Sequence, residues 1–165
     1  NKIPGVDMTT GSLGQGLSVA NGMAIAGKID NKNYRVYTIL GDGEIEEGQV
    51  WEAAMSASHY KLDNLCVIVD KNKLQIDGTT EQIMNSSPLD EKFKSFGFEV
   101  ITIDGNNILE IMKAFAKARN IKSKPTCIIA ETTKGKGVSF MENKVEWHGK
   151  APNEEQYNLA MEELK

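Results

Sequence analysis

The sequence predicts an α/β domain, a parallel sheet flanked by helices. Three observations predict it. Four short apolar runs have strand length: Arg35 to Leu40, Leu65 to Asp70, Phe98 to Ile103 and Thr126 to Glu131. Three of them are near-continuous, as strands buried on both faces are. Helical patterns alternate with them, as a parallel sheet requires. The residues that packing explains least, Asp42 and Asn72, follow directly on strand ends. Sheets of this kind place ligands outside those ends.

The first helical region runs from Gly11 to Gly27 and carries Gly14, Gly16 and Gly22 inside it. Each helix-interior glycine costs roughly 0.5–1 kcal/mol relative to alanine. Several in one helix imply close packing against another helix or subunit, or a ligand approaching the backbone. The spacing is GxxGxG with no preceding strand, so it is not a dinucleotide fingerprint. A second helix is predicted over Glu46 to Tyr60, with Val50, Ala53, Ala54 and Ala57 at helical spacing. A shorter one covers Pro88 to Phe96. Another covers Asn107 to Arg119, with Ile108, Ile111, Met112 and Phe115 on one stripe. The last, Asn153 to Leu164, opens on Asn153-Glu154-Glu155-Gln156, an N-cap followed by an acidic first turn.

The 165 residues predict one domain, 1–165. At 40% hydrophobic the chain can build a core at this length. A formal charge of −4 argues against a nucleic-acid partner, which needs a basic face. No apolar run approaches the roughly 18 residues of a membrane span, so no membrane partner is expected. Cys66 and Cys127 sit far apart in β-type apolar runs, without metal or redox spacing. They read as buried core thiols, and the expected compartment is reducing and cytoplasmic. The opening Asn1-Lys2-Ile3-Pro4-Gly5 has no initiator Met and no signal-peptide pattern.

The chemistry concentrates in Gly41-Asp42-Gly43 and Asp70-Lys71-Asn72-Lys73-Leu74. One helix separates the two strands that lead into them, so the unit is βαβ. Neighbouring strands lie about 4.8 Å apart, which would set Asp42 beside Asn72 at one sheet edge. A carboxylate, an amide oxygen and a backbone carbonyl form a hard, incomplete cation site. Such a set suits Mg²⁺, completed by phosphate oxygens and water. Gly41 and Gly43 would let the backbone approach a diphosphate, and Glu44, Glu46 and Glu47 fall at the next helix N-terminus. An Asp-Gly turn followed by an Asn-Lys turn, two ordinary loops, explains the same residues. The ligand order of an EF-hand is absent.

Four strings in order resemble the diphosphate-binding domain of transketolase: Thr9-Thr10-Gly11-Ser12-Leu13-Gly14-Gln15-Gly16, Gly41-Asp42-Gly43-Glu44-Ile45-Glu46-Glu47-Gly48, Asn72-Lys73-Leu74-Gln75-Ile76-Asp77-Gly78, and Trp147-His148-Gly149-Lys150-Ala151-Pro152. They reach from Thr9 to Pro152. The resemblance implies a thiamine diphosphate-binding fold of the diphosphate type, holding thiamine diphosphate and Mg²⁺, with Ca²⁺ as an alternative ion. It implies that Asp42, the Asn72 side chain and the Leu74 carbonyl bind the metal. Gly11, Leu13, Gly41, Gly43, Glu44, Asn72, Ile76, Lys134 and His148 become cofactor-binding residues, with Ile76 near the pyrimidine ring. His148, beside the diphosphate and the reacting centre, and Glu47 become the catalytic candidates. Glu47 and Glu52 match acids that join two cofactor sites across a subunit interface. The Lys134-Gly135-Lys136-Gly137 loop should lie over the site, Lys134 being the favoured phosphate contact. His59 lacks such a context and reads as structural.

The implied activity is transfer of a two-carbon ketol unit from a ketose phosphate to an aldose phosphate, as in the pentose phosphate pathway. The glutamate that activates the aminopyrimidine lies, in this family, on a different domain. The chain therefore resembles the N-terminal subunit of a split transketolase. Its expected partner is a C-terminal subunit with the pyrimidine-binding domain, the whole forming a heterotetramer. The family's upstream histidines are absent from Asn1 to Met8, so an N-terminal segment is expected to be missing. Other readings are 1-deoxyxylulose 5-phosphate synthase, the alpha chain of a 2-oxo acid dehydrogenase, a non-catalytic cofactor-binding or regulatory subunit, and a purely structural module.

Overall fold

A computed structural model describes residues 3–165; Asn1 and Lys2 lie outside the described residues. In chain order the elements are α1 (Gln15–Ile29), β1 (Val36–Gly41), α2 (Gly48–His59), β2 (Leu65–Lys71), β3 (Leu74–Gln75), β4 (Gly78–Thr79), α3 (Thr80–Ile83), α4 (Leu89–Ser95), β5 (Glu99–Asp104), α5 (Ile108–Asn120), β6 (Thr126–Glu131) and α6 (Glu154–Glu163). The main sheet is parallel, in the order β1-β2-β6-β5, and β3 pairs with β4 as a separate antiparallel hairpin.

Alternation along β2 and β6 sends side chains to two cores. Leu65, Val67, Val69, Cys127 and Ile129 pack under α1, α2 and α4, against Leu17, Ala24, Val50, Ala54 and Phe93. Cys66 and Ile128 face the other way, against Ala114 and Ala118 of α5. Fully burying an aliphatic side chain of this size contributes about 1.5–3 kcal/mol. Burial on both faces holds for the two central strands, not for three. β1 and β5 are the sheet edges, and among the described residues α5 is the helix that packs on the second face. Tyr37 of β1 reaches Phe115 of α5 edge-on at 5.5 Å, but Ile39 stays 73% exposed.

The helices differ from expectation mainly at their starts. α1 begins at Gln15 rather than Gly11, because Gly14 takes a left-handed φ of +80° and ends the preceding turn. α2 begins at Gly48 rather than Glu46: Glu44–Glu46 form a 3₁₀ turn, and Glu47 is extended at ψ 128°. Close packing explains Gly27, where an added Cβ would stand 2.7 Å from the Tyr34 ring. It does not explain Gly22, which faces open space. Asn107 caps α5 by accepting from Leu109 and Glu110, and Asn153 and Gln156 cap α6 reciprocally. Both cysteines are fully buried and unbridged. Burial pushes the Cys66 thiol up to about 12 and the Cys127 thiol well above its ordinary value. No helix among the described residues is long and apolar enough to cross a membrane.

Candidate functional site

The β1–β2 register fixes the centre of the site. Gly41 pairs with Asp70, so Asp42 and Asn72 leave the sheet at the same edge, as the spacing predicts. The Asp42 N–H still donates to the Asp70 carbonyl at 3.2 Å. Its carboxylate is buried, 3% exposed, and accepts the Lys73 N–H at 2.5 Å. Lys73 adopts a left-handed φ of 65° that turns its N–H inward. The Asn72 side-chain oxygen accepts the Leu74 N–H at 3.0 Å, which folds residues 72–74 around the carboxylate. An amide oxygen keeps a second lone pair after one such bond.

Burial pushes the Asp42 carboxyl above its ordinary value, Lys73 and Gly43 N–H groups pull it back, and nearby Asp70 adds to the rise. None of the ion pairs among the described residues involves Asp42. A buried carboxylate without a counter-charge is costly, so the pocket favours a cation. Among the described residues no group of three or more His, Cys, Asp or Glu is placed to hold a metal ion. The donors at this point are one carboxylate with neutral oxygens beside it, a set that fits Mg²⁺ completed by phosphate and water.

Glu44 has a role that the spacing does not announce. One carboxylate oxygen accepts the Gly14 N–H at 2.9 Å and the other accepts the Gly41 N–H at 3.1 Å. The reach back to Gly41 has the three-residue spacing of half a capping box, the one signal that could have found it. Glu46 accepts from the Gln75 side chain at 3.0 Å, and the Trp51 indole N–H donates to the Ile45 carbonyl at 3.0 Å. Gln75 also stands 3.2 Å from where a Cβ on Gly43 would lie. The β3–β4 hairpin, unforeseen in the sequence, is thereby tied to the Gly41-Asp42-Gly43 turn.

Two clefts flank the pair. One, of about 440 Å³, lies between Asp42, Lys73, Thr79, Thr80 and Ser86. The other, of about 470 Å³, opens from Asn72 across the ends of β5 and β6 to Thr132, Thr133, Lys136 and Asn143. The glycine–lysine loop thus borders the site, through Lys136; Lys134, the favoured contact, is not among the lining residues. Gly135 shapes this loop. Its φ is +70°, and an added Cβ would meet the Met141 backbone at 2.8 Å. Gly135→Ala is expected to cost about 2 kcal/mol or more in strain and clash. A thermal midpoint lowered by a few degrees would show it, and an unchanged midpoint would contradict it.

The remaining expected residues stand apart from these clefts. Leu13 and Ile76 are exposed, at 59% and 68%. Gly11, Glu47, Glu52 and His148 are exposed as well. His148 follows a 3₁₀ turn, Val145–Trp147, anchored by the Trp147 indole N–H to the Phe140 carbonyl at 2.9 Å. It lines neither cleft. His59 stacks edge-on against Tyr60 at 4.9 Å on the surface.

The chain matches the family model described as transketolase, thiamine diphosphate binding domain, over residues 1–164. It is 48% identical over 165 residues to a subunit of the apulose-4-phosphate transketolase of Actinobacillus succinogenes, covering 100% of this chain and 59% of that protein. It is 48% identical over 161 residues to the SqwG subunit of the 6-deoxy-6-sulfo-D-fructose transketolase of Clostridium sp., covering 98% of this chain and 58% of that one. The chain therefore spans somewhat over half the length of these relatives. Among solved structures, transketolase of Campylobacter jejuni superposes with a TM-score of 0.90 at 36% identity, over 96% of this chain and 26% of that chain.

Proposed function

From the premise that the chain belongs to the transketolase family, through its thiamine diphosphate-binding domain, we propose that it is the diphosphate-binding subunit of a two-chain transketolase. The carrying observation is the buried Asp42 carboxylate, without an ion pair among the described residues, beside Asn72 at the carboxyl edge of the sheet. Asp42, the Asn72 oxygen and the Leu74 carbonyl would hold Mg²⁺, or Ca²⁺ in its place. When bound, thiamine diphosphate supplies the carbanion chemistry of ketol transfer.

This chain's residues bind and orient. Gly43, with Gly11 and Gly41 in the flanking turns, would let the backbone come close to the diphosphate. Leu13 and Ile76 supply apolar surface for the cofactor rings. His148 would approach the substrate oxygens from the exposed surface that the partner covers, with Lys134 and Lys136 adding positive charge over the phosphates. Glu47 and Glu52 face a second subunit. Their exposure, with that of Leu13 and Ile76, supports a surface that a partner covers. The partner is a separate pyrimidine-binding subunit, and two copies of each chain form the assembly. Both relatives from Actinobacillus succinogenes and Clostridium sp. are named as single subunits of a transketolase, which supports that division. Sugar phosphates are the substrates. The buried thiols support a reducing cytoplasm.

The test is a coupled assay of this chain with its pyrimidine-binding partner, a ketose phosphate donor and an aldose phosphate acceptor. Turnover is expected from the mixture only, with both Mg²⁺ and thiamine diphosphate present. Turnover by this chain alone, or a preference for 2-oxo acids, would contradict the assignment.

A further inference from the structure

We propose that Glu44 is a positioning residue: its single carboxylate sets the spacing between the turn carrying Leu13 and the turn carrying Asp42. The idea rests on the cofactor site proposed above. The two amides it holds, Gly14 N–H and Gly41 N–H, belong to residues 27 positions apart that no backbone bond between their turns joins among the described residues. Each amide adjoins a residue assigned to the cofactor or its metal, Leu13 before Gly14 and Asp42 after Gly41. Glu44 thus lies one bond from both halves of the site.

Local chemistry explains why a carboxylate is used. Gly14 occupies the N-cap of α1, and Leu17 at N3 has no side-chain oxygen to reach back to the Gly14 N–H. The Gly14 φ of +80°, and the Glu47 Cβ 2.9 Å from where its own Cβ would lie, keep it glycine. A carboxylate from a distant turn supplies the missing acceptor, and negative charge is favoured at that helix end. Each of its oxygens accepts one backbone N–H, one from each turn, so the carboxylate is oriented between the turns. A carboxylate facing a diphosphate would also repel it. Glu44 therefore acts through the two turns rather than by contact.

The test uses Glu44→Ala and Glu44→Gln in the chain assembled with its partner. Thiamine diphosphate is titrated with Mg²⁺ present, and kcat is measured at saturating cofactor. Glu44→Ala is expected to weaken cofactor binding about tenfold or more, the usual worth of charge-assisted bonds, with kcat changed less than threefold. Glu44→Gln keeps one acceptor and should fall between. Amide exchange on the cofactor-free chain supplies an independent readout. Gly14 and Gly41 should lose protection together in Glu44→Ala while the amides of α1 beyond its first turn keep theirs.

Cofactor affinity within twofold of wild type, or protection unchanged at both glycines, would overturn the role of Glu44 alone. Tighter binding of inorganic pyrophosphate by Glu44→Ala would overturn it too, because that marks direct repulsion. A wild-type assembly that binds no thiamine diphosphate would instead refute the cofactor site, while the exchange result still reports on the clamp.

Discussion

Replacing Asp42 with asparagine is expected to raise the thermal midpoint of the metal-free chain and to abolish the further rise that Mg²⁺ with thiamine diphosphate gives the wild type. The two effects have one cause. Burial raises the Asp42 carboxyl above its ordinary value, so the folded chain binds that proton more tightly than the unfolded chain. Metal-free stability from this group is greatest below the ordinary carboxylate range. It declines as pH climbs from the ordinary value through the raised one, and above the raised value the penalty is present in full. Asparagine removes the charge, and its side-chain oxygen still accepts the Lys73 N–H. It also removes the anionic ligand, and cofactor binding should weaken by at least about 100-fold. Ligand-induced stabilisation, which follows RT ln(1 + [L]/Kd), then disappears at ordinary cofactor concentrations. Thermal melts of both chains across pH, with and without Mg²⁺ and cofactor, check this. A lower metal-free midpoint in Asp42→Asn would contradict the electrostatic account.

Phe93→Ala should be the most damaging of the core truncations, at about 3–5 kcal/mol. Phe93 is fully buried on α4, with ring centroids 5.2 Å from Trp51 and 5.4 Å from Phe98. For a chain of this length the loss corresponds to a midpoint lower by roughly 6–20 °C. The effect should reach the site as well. Trp51 leans on Phe93 and Phe96, and its indole holds the Ile45 carbonyl in the turn after Asp42. At temperatures well below the melt, cofactor affinity should therefore fall, by less than tenfold. Phe93→Leu keeps most of the volume and should do half the damage or less. Denaturant melts and cofactor titration of the two variants check both points. Unaltered affinity in Phe93→Ala would show that the aromatic cluster does not support the site.

The strands and the main helices were legible because their signals are local. Apolar runs, alanine spacing on α2 and the Asn153–Gln156 cap are all written within a few residues. The adjacency of Asp42 and Asn72 was legible too, since a βαβ unit between neighbouring strands forces it. What depended on distant contacts was not. The Glu44 bonds span 30 residues on one side, and nothing near Gly14 announces them. The hairpin at Ile76-Asp77 was hidden because its strands are two residues each, too short for alternation to show. The exposure of Ile39 is not legible because Val36, Tyr37, Ile39 and Leu40 put apolar residues on both faces of the strand, while edge position is decided by strand order. The resemblance favours Lys134, but each lysine precedes a glycine, and only the loop's path shows that Lys136 borders the cleft.

The central claim is that Asp42 and Asn72 form a metal-dependent diphosphate site. Calorimetric titration of thiamine diphosphate into this chain mixed with its pyrimidine-binding partner tests it most directly, first with Mg²⁺ and then with EDTA. The account predicts saturable binding with Mg²⁺, none with EDTA, and none in Asp42→Ala under either condition. Binding that survives EDTA, or that Asp42→Ala retains at wild-type affinity, would contradict it.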